Sequence, residues 1–308
     1  MHYFSNTSLP VGGAVVQLQD MAPDSGSAAA VTQTDSAGQF TFPGIGVANW
    51  EVQPQKTGDL GSAVDIFDAV YILEVTIGLQ TLTPPQYLAC DVNGDGSVDI
   101  FDAVWILQYT VGLTTRFPVA QACGSDWAFM PDAASAANQQ LIQPQLGATC
   151  QPGAICFAPL VSQATSQNFS AVLFGDCNGS WQPSLSPSVA FSLATSASSD
   201  LRLGRAVTLG KHRIRIPLSV GSTGSFRGLS AELSYDPTQL RAVSVHAVGA
   251  ARGALMQVNT QVSGSLRLAL ASSRPVRNGV VLMLEFDTIR GRQPTSGAVR
   301  IQHAVVEN

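Results

Sequence analysis

Residues 91–102, DVNGDGSVDIFD, carry oxygen-bearing side chains at positions one, three, five, nine and twelve of a twelve-residue segment. Gly96 stands at position six, where such a loop must turn sharply, and position seven contributes a backbone carbonyl. This spacing is typical of a loop that surrounds calcium, a hard cation that takes six to eight oxygen ligands. The predicted ligands are Asp91, Asn93, Asp95, Ser97, Asp99 (through a water molecule) and Asp102.

The segment VDIFDAV occurs twice in the chain, so the loop and the helix that follows it are duplicated, at 57–79 and at 91–113. Apolar residues recur at helical spacing in DIFDAVYILEVTIGL and in DIFDAVWILQYTVGL. Each stretch ends at a glycine, Gly78 or Gly112, which favours the end of a helix. The sequence therefore predicts two loop–helix copies.

The first loop has lost part of its predicted ligand set. Thr57 stands at position one and Gly61 at position five, so two anionic ligands are absent. Because calcium affinity follows the charge and number of the ligands, we expect a weaker second site or an empty loop. Its remaining candidate ligands are Asp59, Asp65 and Asp68.

A tandem loop–helix repeat with Asp at position twelve of each loop resembles the dockerin modules. The match covers 57–113 and is most specific in DVNGDGSVDIFDAVWILQYTVGL. The resemblance implies a calcium-folded helix pair with pseudo-twofold symmetry that binds a cohesin module. Val70 and Val104 fit a partner contact as well as a place in the core. The residues that the resemblance assigns to the partner surface are apolar or aromatic: Ile66, Phe67, Tyr71, Ile100, Phe101 and Trp105.

Residues 1–56 alternate with period two, as in VVQL and QFTF, and turn residues separate the short predicted strands. This pattern predicts a small β-sandwich. PVGGAVVQL, TQTDSAGQFTFPGI and WEVQPQK resemble the carboxypeptidase-regulatory or CnaB-like modules of exported proteins, which implies a brace or a spacer.

Residues 188–308 contain seven predicted strands and no helical stretch, which favours a β-sandwich or jelly roll. The strands are FSLATS, HRIRIPLSV, GLSAELSYD, LRAVSVHAV, SLRLALASS, VVLMLEFDTI and AVRIQHAVV. The segments YDP at 235–237, LALASS and LEF at 284–286 resemble a cohesin domain, which implies a surface that receives a dockerin. The predicted fold class is thus mainly β with a small α module.

Residues 114–187 are rich in Gln, Ala, Ser and Pro and are predicted to be an irregular connector that contains four of the five cysteines. With four histidines in the chain and no CxxC pair, disulfides are a better interpretation than zinc. One scheme pairs Cys90 with Cys123 and Cys150 with Cys177, and leaves Cys156 as a buried thiol. The other closes a short loop between Cys150 and Cys156.

Composition excludes several classes of function. The net charge of −5 argues against nucleic acid as the main partner, and no run of apolar residues is long enough to span a membrane. No nucleophile motif, paired-carboxylate cleft or phosphate loop is found, so we expect no enzymatic activity. The cysteines and a surface rich in Ser, Thr and Gly favour an extracellular or cell-surface location.

The two resemblances place a dockerin-like and a cohesin-like part in one chain. If one copy binds the next, the contact is head to tail and builds filaments. The leading hypothesis is therefore an extracellular, calcium-dependent structural protein that self-assembles. The alternatives are a monomeric scaffold, adaptor or adhesin that binds other dockerin- or cohesin-bearing proteins, and a chain whose repeat closes on its own C-terminal domain.

Overall fold

The computed structural model describes residues 1–21, 28–147, 149–183, 201–210, 212–289, 295 and 297–307. Within these residues the chain is mainly β, as predicted. The strands are β1 (His2–Tyr3), β2 (Asn6–Pro10), β3 (Val15–Asp20), β4 (Ala28–Gln33), β5 (Trp50–Gln55), β6 (Trp127–Ala133), β7 (Gln139–Ile142), β8 (Ala154–Phe157), β9 (Gln167–Leu173), β10 (Leu201–Leu203), β11 (Val207–Thr208), β12 (Arg213–Tyr235), β13 (Leu240–Ala247), β14 (Leu255–Asn259), β15 (Ser265–Thr288) and β16 (Val299–Glu307). The helices are α1 (Ile66–Thr76), α2 (Pro84–Cys90), α3 (Ile100–Thr110) and α4 (Pro118–Cys123).

The chain divides into two compact units, each built from separate stretches of sequence. The first unit comprises the described residues of 1–64, 81–102 and 116–188, and the second those of 65–80, 103–115 and 189–308.

The first unit holds two sheets, with strand orders β2-β1-β9-β6 and β4-β3-β5-β8-β7. Both sheets combine strands of the N-terminal β-module with strands of the segment 114–187, so the prediction that this segment is irregular is wrong. The reason is that the segment contains short apolar stretches, WAFM in β6, AICF in β8 and FSAVL in β9, whose side chains are mostly buried. Strands β6 and β9 pair with each other, and β8 pairs with β5.

The predicted alternation of the N-terminal module is confirmed in β3, where Val16 and Leu18 are buried and their neighbours are not. The stretch QFTF also alternates, with Phe40 and Phe42 half-buried, but it pairs with no strand among the described residues. The prediction of a strand there is therefore wrong, because burial of alternate side chains needs a surface to pack on but not a strand partner.

The second unit is built around a seven-stranded sheet of order β10-β12-β15-β13, with β11 and β16 on β12 and β14 on β15. Strands β12 and β15 run through several bulges, and each joins two stretches that the sequence predicts as separate strands. Alternate residues such as Leu229, Leu233 and Leu270 fill an apolar core. Six of the seven predicted strands are confirmed, and FSLATS lies outside the described residues.

Helices α1 and α3 confirm the predicted helical stretches, and they end in the same way. Gly78 and Gly112 have φ of 75° and 74°. The Leu79 amide donates to the Glu74 carbonyl at 2.9 Å, and the Leu113 amide donates to Gln108 at 2.8 Å. This pattern is the Schellman motif, in which a left-handed glycine closes the last turn. In the described part of the chain, no helix has the length and apolarity of a membrane span.

A disulfide joins Cys123, at the end of α4, to Cys150, with their Cα atoms 5.1 Å apart. Both predicted pairing schemes are therefore wrong, because pairing follows Cα separation in the fold rather than spacing in sequence. Cys156 is a buried thiol, as one scheme predicted, and burial raises its pKa to about 11. Cys90 and Cys177 lie outside the disulfide and are buried.

Candidate functional site

Asp91 organises the turn of the second loop. Its Oδ1 accepts hydrogen bonds from the amides of Gly94 at 2.8 Å and Asp95 at 3.1 Å. Its Oδ2 accepts from the Gly96 amide at 2.9 Å. Gly94 and Gly96 have φ of 75° and 86°, where side chains other than glycine are strained. The backbone of the turn thus surrounds the carboxylate at position one and holds it by three hydrogen bonds.

Asp102, in the first turn of α3, closes the same loop. Its Oδ1 accepts from the Asn93 amide at 3.1 Å and its Oδ2 from the Asp99 amide at 2.9 Å. Asp102 and Asp91 are 0% and 1% exposed. The Phe101 amide donates to Asp99 at 2.7 Å, so the start of the helix is capped by the acids that the sequence assigns as ligands.

At the rim of the loop, residues close together in sequence are joined by hydrogen bonds. The Asp95 amide donates to Asn93 Oδ1 at 2.7 Å, and the Ser97 amide donates to Asp95 Oδ1 at 2.9 Å. Asn93 and Asp99 are half-buried, whereas Asp95 and Ser97 are exposed. All six predicted ligands therefore lie on one continuous, hydrogen-bonded loop.

The charges of this loop repel one another. Burial raises the pKa of Asp102 to about 7, against the opposing effect of its two amide donors, and the charges of Asp91 and Asp99 raise it further. Burial also raises the pKa of Asp91, with a contribution from Asp95. Buried carboxylates that repel each other are stabilised by a cation between them.

The donor set is composed of oxygen atoms, which fits a hard divalent cation such as calcium. In the described part of the chain, no three His, Cys, Asp or Glu side chains form a metal-binding group by themselves. The four aspartates of the loop are thus not brought together as a metal-binding group, and a calcium site that also uses the Asn93 amide oxygen and the Ser97 carbonyl stays a prediction from the spacing.

The first loop places its three candidate ligands differently. Asp65 and Asp68 cap α1: Asp68 Oδ2 accepts from the Asp65 amide at 2.9 Å, and Asp65 Oδ1 accepts from the Phe67 amide at 2.8 Å. Asp59 lies 2.9 Å from the ammonium of Lys56, with φ of 73°. The helix cap matches that of the second copy, but the loop ahead of it does not.

In the second unit, α1 lies against β12 and β15. Along β15, Leu268 and Leu270 point into the core, so Ala269 and Ala271 belong to the opposite, outer face. Both alanines are 0% exposed. Small residues at covered positions of a sheet allow close approach of a helix. We call this surface of β12 and β15 the outer face.

Polar contacts accompany this packing. Glu74 of α1 pairs with Arg227 of β12. Asn259, at the end of β14, is 7% exposed, and its amide donates to the carbonyls of Val111 at 3.0 Å and Gly112 at 3.3 Å. These are the carbonyls at the end of α3, which lack partners within a helix. The repeat thus meets the sheet through a defined set of polar partners.

The six residues predicted to face a partner are divided between buried and exposed positions. Ile66 is 1% exposed, and Phe67, Tyr71 and Trp105 are half-buried. Ile100 and Phe101 are 44% and 63% exposed. The first copy thus buries more of this surface than the second.

Sequence reasoning missed Glu74, Arg227 and Asn259. Glu74 is the one acidic residue of α1 beyond its first turn, and this isolation was a usable signal. Arg227 and Asn259 stand in strand stretches where a polar residue is ordinary, so only the fold identifies them.

Part of the chain is similar in fold to solved cohesin modules. The sixth cohesin of scaffoldin B from Acetivibrio cellulolyticus, solved in complex with a Cel5 dockerin, has 16% identity and a TM-score of 0.30 over 35% of this chain and 84% of that one. A type I cohesin–dockerin complex from Clostridium thermocellum gives 10% and 0.30 over 35% and 82%. A non-cellulosomal cohesin from Archaeoglobus fulgidus gives 16% and 0.26 over 33% and 76%.

At these values the likeness is partial and gives no information on partners or activity. No protein-family model matches the sequence, and no curated protein matches it.

Proposed function

We propose that this chain is a non-catalytic, calcium-dependent structural protein that assembles head to tail outside the cell. The observation that supports this proposal is the seat of α1 and of the α3 C-terminus on the sheet of the second unit. A surface that accepts the repeat of its own chain has the shape and charge to accept the repeat of another copy. Such a contact between copies builds an open filament unless it closes into a ring.

Recognition would rest on close packing and on charge. The outer face presents Ala269 and Ala271, whose small side chains let α1 approach the sheet. Arg227 then selects the orientation in which Glu74 lies beside it. An ion pair of this kind contributes modestly to affinity but strongly to the choice of register.

Calcium would influence assembly through helix α3. Asp102 is a predicted ligand and also the acid that caps this helix, while Asn259 holds the other end of the helix. A cation in the loop would therefore order the start of the element whose end meets the sheet. The Cys123–Cys150 disulfide supports an oxidising, extracellular compartment.

A second candidate is favoured by the same contact, because it lies within one chain. In that case the repeat covers the outer face of its own sheet, and the protein is a closed monomer that acts as a scaffold, adaptor or adhesin. The two candidate functions differ in whether the contact forms between copies or stays within one chain.

Charge reversal distinguishes the two candidates. Glu74→Arg alone places two arginines at the contact, and Arg227→Glu alone places two glutamates there, so each variant should assemble at least about tenfold more weakly. The double variant restores the pair in both cases. A mixture of the two single variants restores it only between copies, since each chain keeps its own mismatch.

The measurement is light scattering with negative-stain microscopy on the full chain, with calcium and with a chelator. Filaments that form in the equimolar mixture and disappear with chelator support assembly. Calcium-loaded wild-type monomers at high concentration would show that the contact stays closed, and the filament proposal would then fail.

A further inference from the structure

We propose that the first loop is a metal-independent replacement of a calcium loop, held by the Lys56 ammonium and by a strap, residues 125–127, instead of an ion. The proposal concerns only residues of the first unit and does not depend on assembly. It assigns one metal site per chain, although the repeat has two loops.

The side chains of the first loop do not fit a metal site. Thr57 at position one is exposed, whereas Asp91 at the equivalent position is buried. Position five is Gly61, which has no side-chain oxygen. The carboxylate at position three, Asp59, lies 2.9 Å from Lys56 Nζ, and both side chains are largely buried, at 23% and 14% exposed. A cation already neutralises the acid that a metal would need.

The backbone of the loop is occupied as well. Residues 60–62 form a turn of 3-10 helix, and the amides of Ala63 and Val64 donate to the Leu60 carbonyl at 3.2 and 2.9 Å. The carbonyl of Ala63 stands at position seven, which offers its oxygen to the cation in a calcium loop. Here it accepts a hydrogen bond from Ser180 Oγ at 3.2 Å.

The strap fixes the chain ahead of this turn. The Asp126 amide donates to the Lys56 carbonyl at 2.8 Å. The Gly58 amide donates to Asp126 Oδ2 at 2.7 Å, and the Trp127 indole N–H donates to the Gly58 carbonyl at 3.3 Å. Lys56 Nζ also lies 5.9 Å from the centre of the Trp127 ring, within range of a cation–π contact.

The acids that hold the start of the first loop are paired with cationic side chains. Lys56 pairs with Asp59, and Arg116 pairs with Asp126 at 2.7 Å. In the second loop, by contrast, the four aspartates pair with no cationic side chain among the ion pairs of the described residues. The acid at position three of the first loop therefore has a cationic partner in the protein itself, whereas the sequence spacing of the second loop predicts that an ion supplies this charge.

Calcium counting on the full chain tests this assignment. Isothermal titration calorimetry and equilibrium dialysis should give one calcium per wild-type chain. Asp59→Asn should keep one, and Asp91→Asn should abolish binding at the second loop. Two ions per wild-type chain, or loss of an ion in Asp59→Asn, would overturn the proposal.

A measurement of thermal stability tests the role of Lys56. Lys56→Gln should lower Tm by about 2–4 °C, by the same amount with calcium and with chelator, because the lost ion pair is independent of the metal. Lys56→Arg keeps the charge and should recover most of the shift. Circular dichroism verifies that each variant is folded. An unchanged Tm in Lys56→Gln would show that the ammonium does not hold the loop.

Discussion

The two loop–helix copies share their helices and differ in their loops. In both, an Asp–Asp pair caps the first turn and a left-handed glycine closes the last one. Ahead of the cap, one copy has a turn of 3-10 helix tied to neighbouring segments, and the other has an acidic loop wrapped around Asp91. The shared helices therefore follow from VDIFDAV and the glycine, whereas the two copies differ in the predicted ligands that stand before this segment.

The copies also differ in exposure at equivalent positions. Ile66 is buried, whereas Ile100 is 44% exposed, and Phe67 is half-buried, whereas Phe101 is 63% exposed. Identical residues thus have different surroundings. The first copy packs this apolar surface, and the second leaves it exposed.

The largest effect is expected at the last position of each loop, where Asp102→Asn and Asp68→Asn make the same chemical change. Both variants keep one acceptor oxygen for the helix cap, so each should change the unfolding free energy by no more than about 0.5 kcal/mol. Asp102→Asn should in addition weaken calcium binding by about 100-fold or more, because it removes a charged ligand. Calorimetric titration and urea unfolding measure the two quantities.

Removal of calcium with a chelator extends the comparison between Asp68→Asn and Asp102→Asn. A ligand present at about 100 times its Kd stabilises the folded state by about 2.7 kcal/mol. Calcium should therefore stabilise the wild type and Asp68→Asn equally, and Asp102→Asn far less. Equal loss of calcium binding in both variants would mean that the first loop also holds metal.

A smaller difference is expected between Phe67→Asp and Phe101→Asp. Phe67→Asp places a charge on a half-buried surface of α1 and should reduce the unfolding free energy by about 1–3 kcal/mol. Phe101→Asp changes an exposed side chain and should stay within about 0.5 kcal/mol, while reducing assembly. Urea unfolding, calcium titration and light scattering separate these effects. Loss of stability and calcium binding together in Phe101→Asp would identify this side chain as part of the core.

The helices, their ends and most strands of the second unit were predictable from sequence because each has a local signal. Period 3.6 in DIFDAVWILQYTVGL and the glycine after it determine α3, and alternation determines β3. The hydrogen-bonded turn of the second loop follows the same logic, since all the predicted ligands lie within twelve residues, and calcium binding there stays a prediction.

What could not be predicted depends on pairs that are distant in sequence. The Cys123–Cys150 bond, the Asn259 amide at the end of α3, and the strap on Lys56 each join segments whose proximity only the fold determines. The pairing of β5 with β8 also joins segments that are distant in sequence. It places part of a segment that was predicted to be irregular in a sheet. In our proposal for the first loop, contacts of this kind take the place of a metal.

The smallest expected difference is at the helix ends, between Gly78→Ala and Gly112→Ala. Both glycines have a left-handed φ, so alanine costs about 1 kcal/mol at either position. A Cβ at Gly78 meets open space, whereas one at Gly112 lies 3.2 Å from Arg267 Nη1 and 3.9 Å from Asn259 Nδ2. Gly112→Ala should therefore cost about 0.5 kcal/mol more, by disturbing the Asn259 bonds. Urea midpoints at constant m measure this excess. Equal midpoints for the two variants would show that the Asn259 contact with α3 adds nothing to stability.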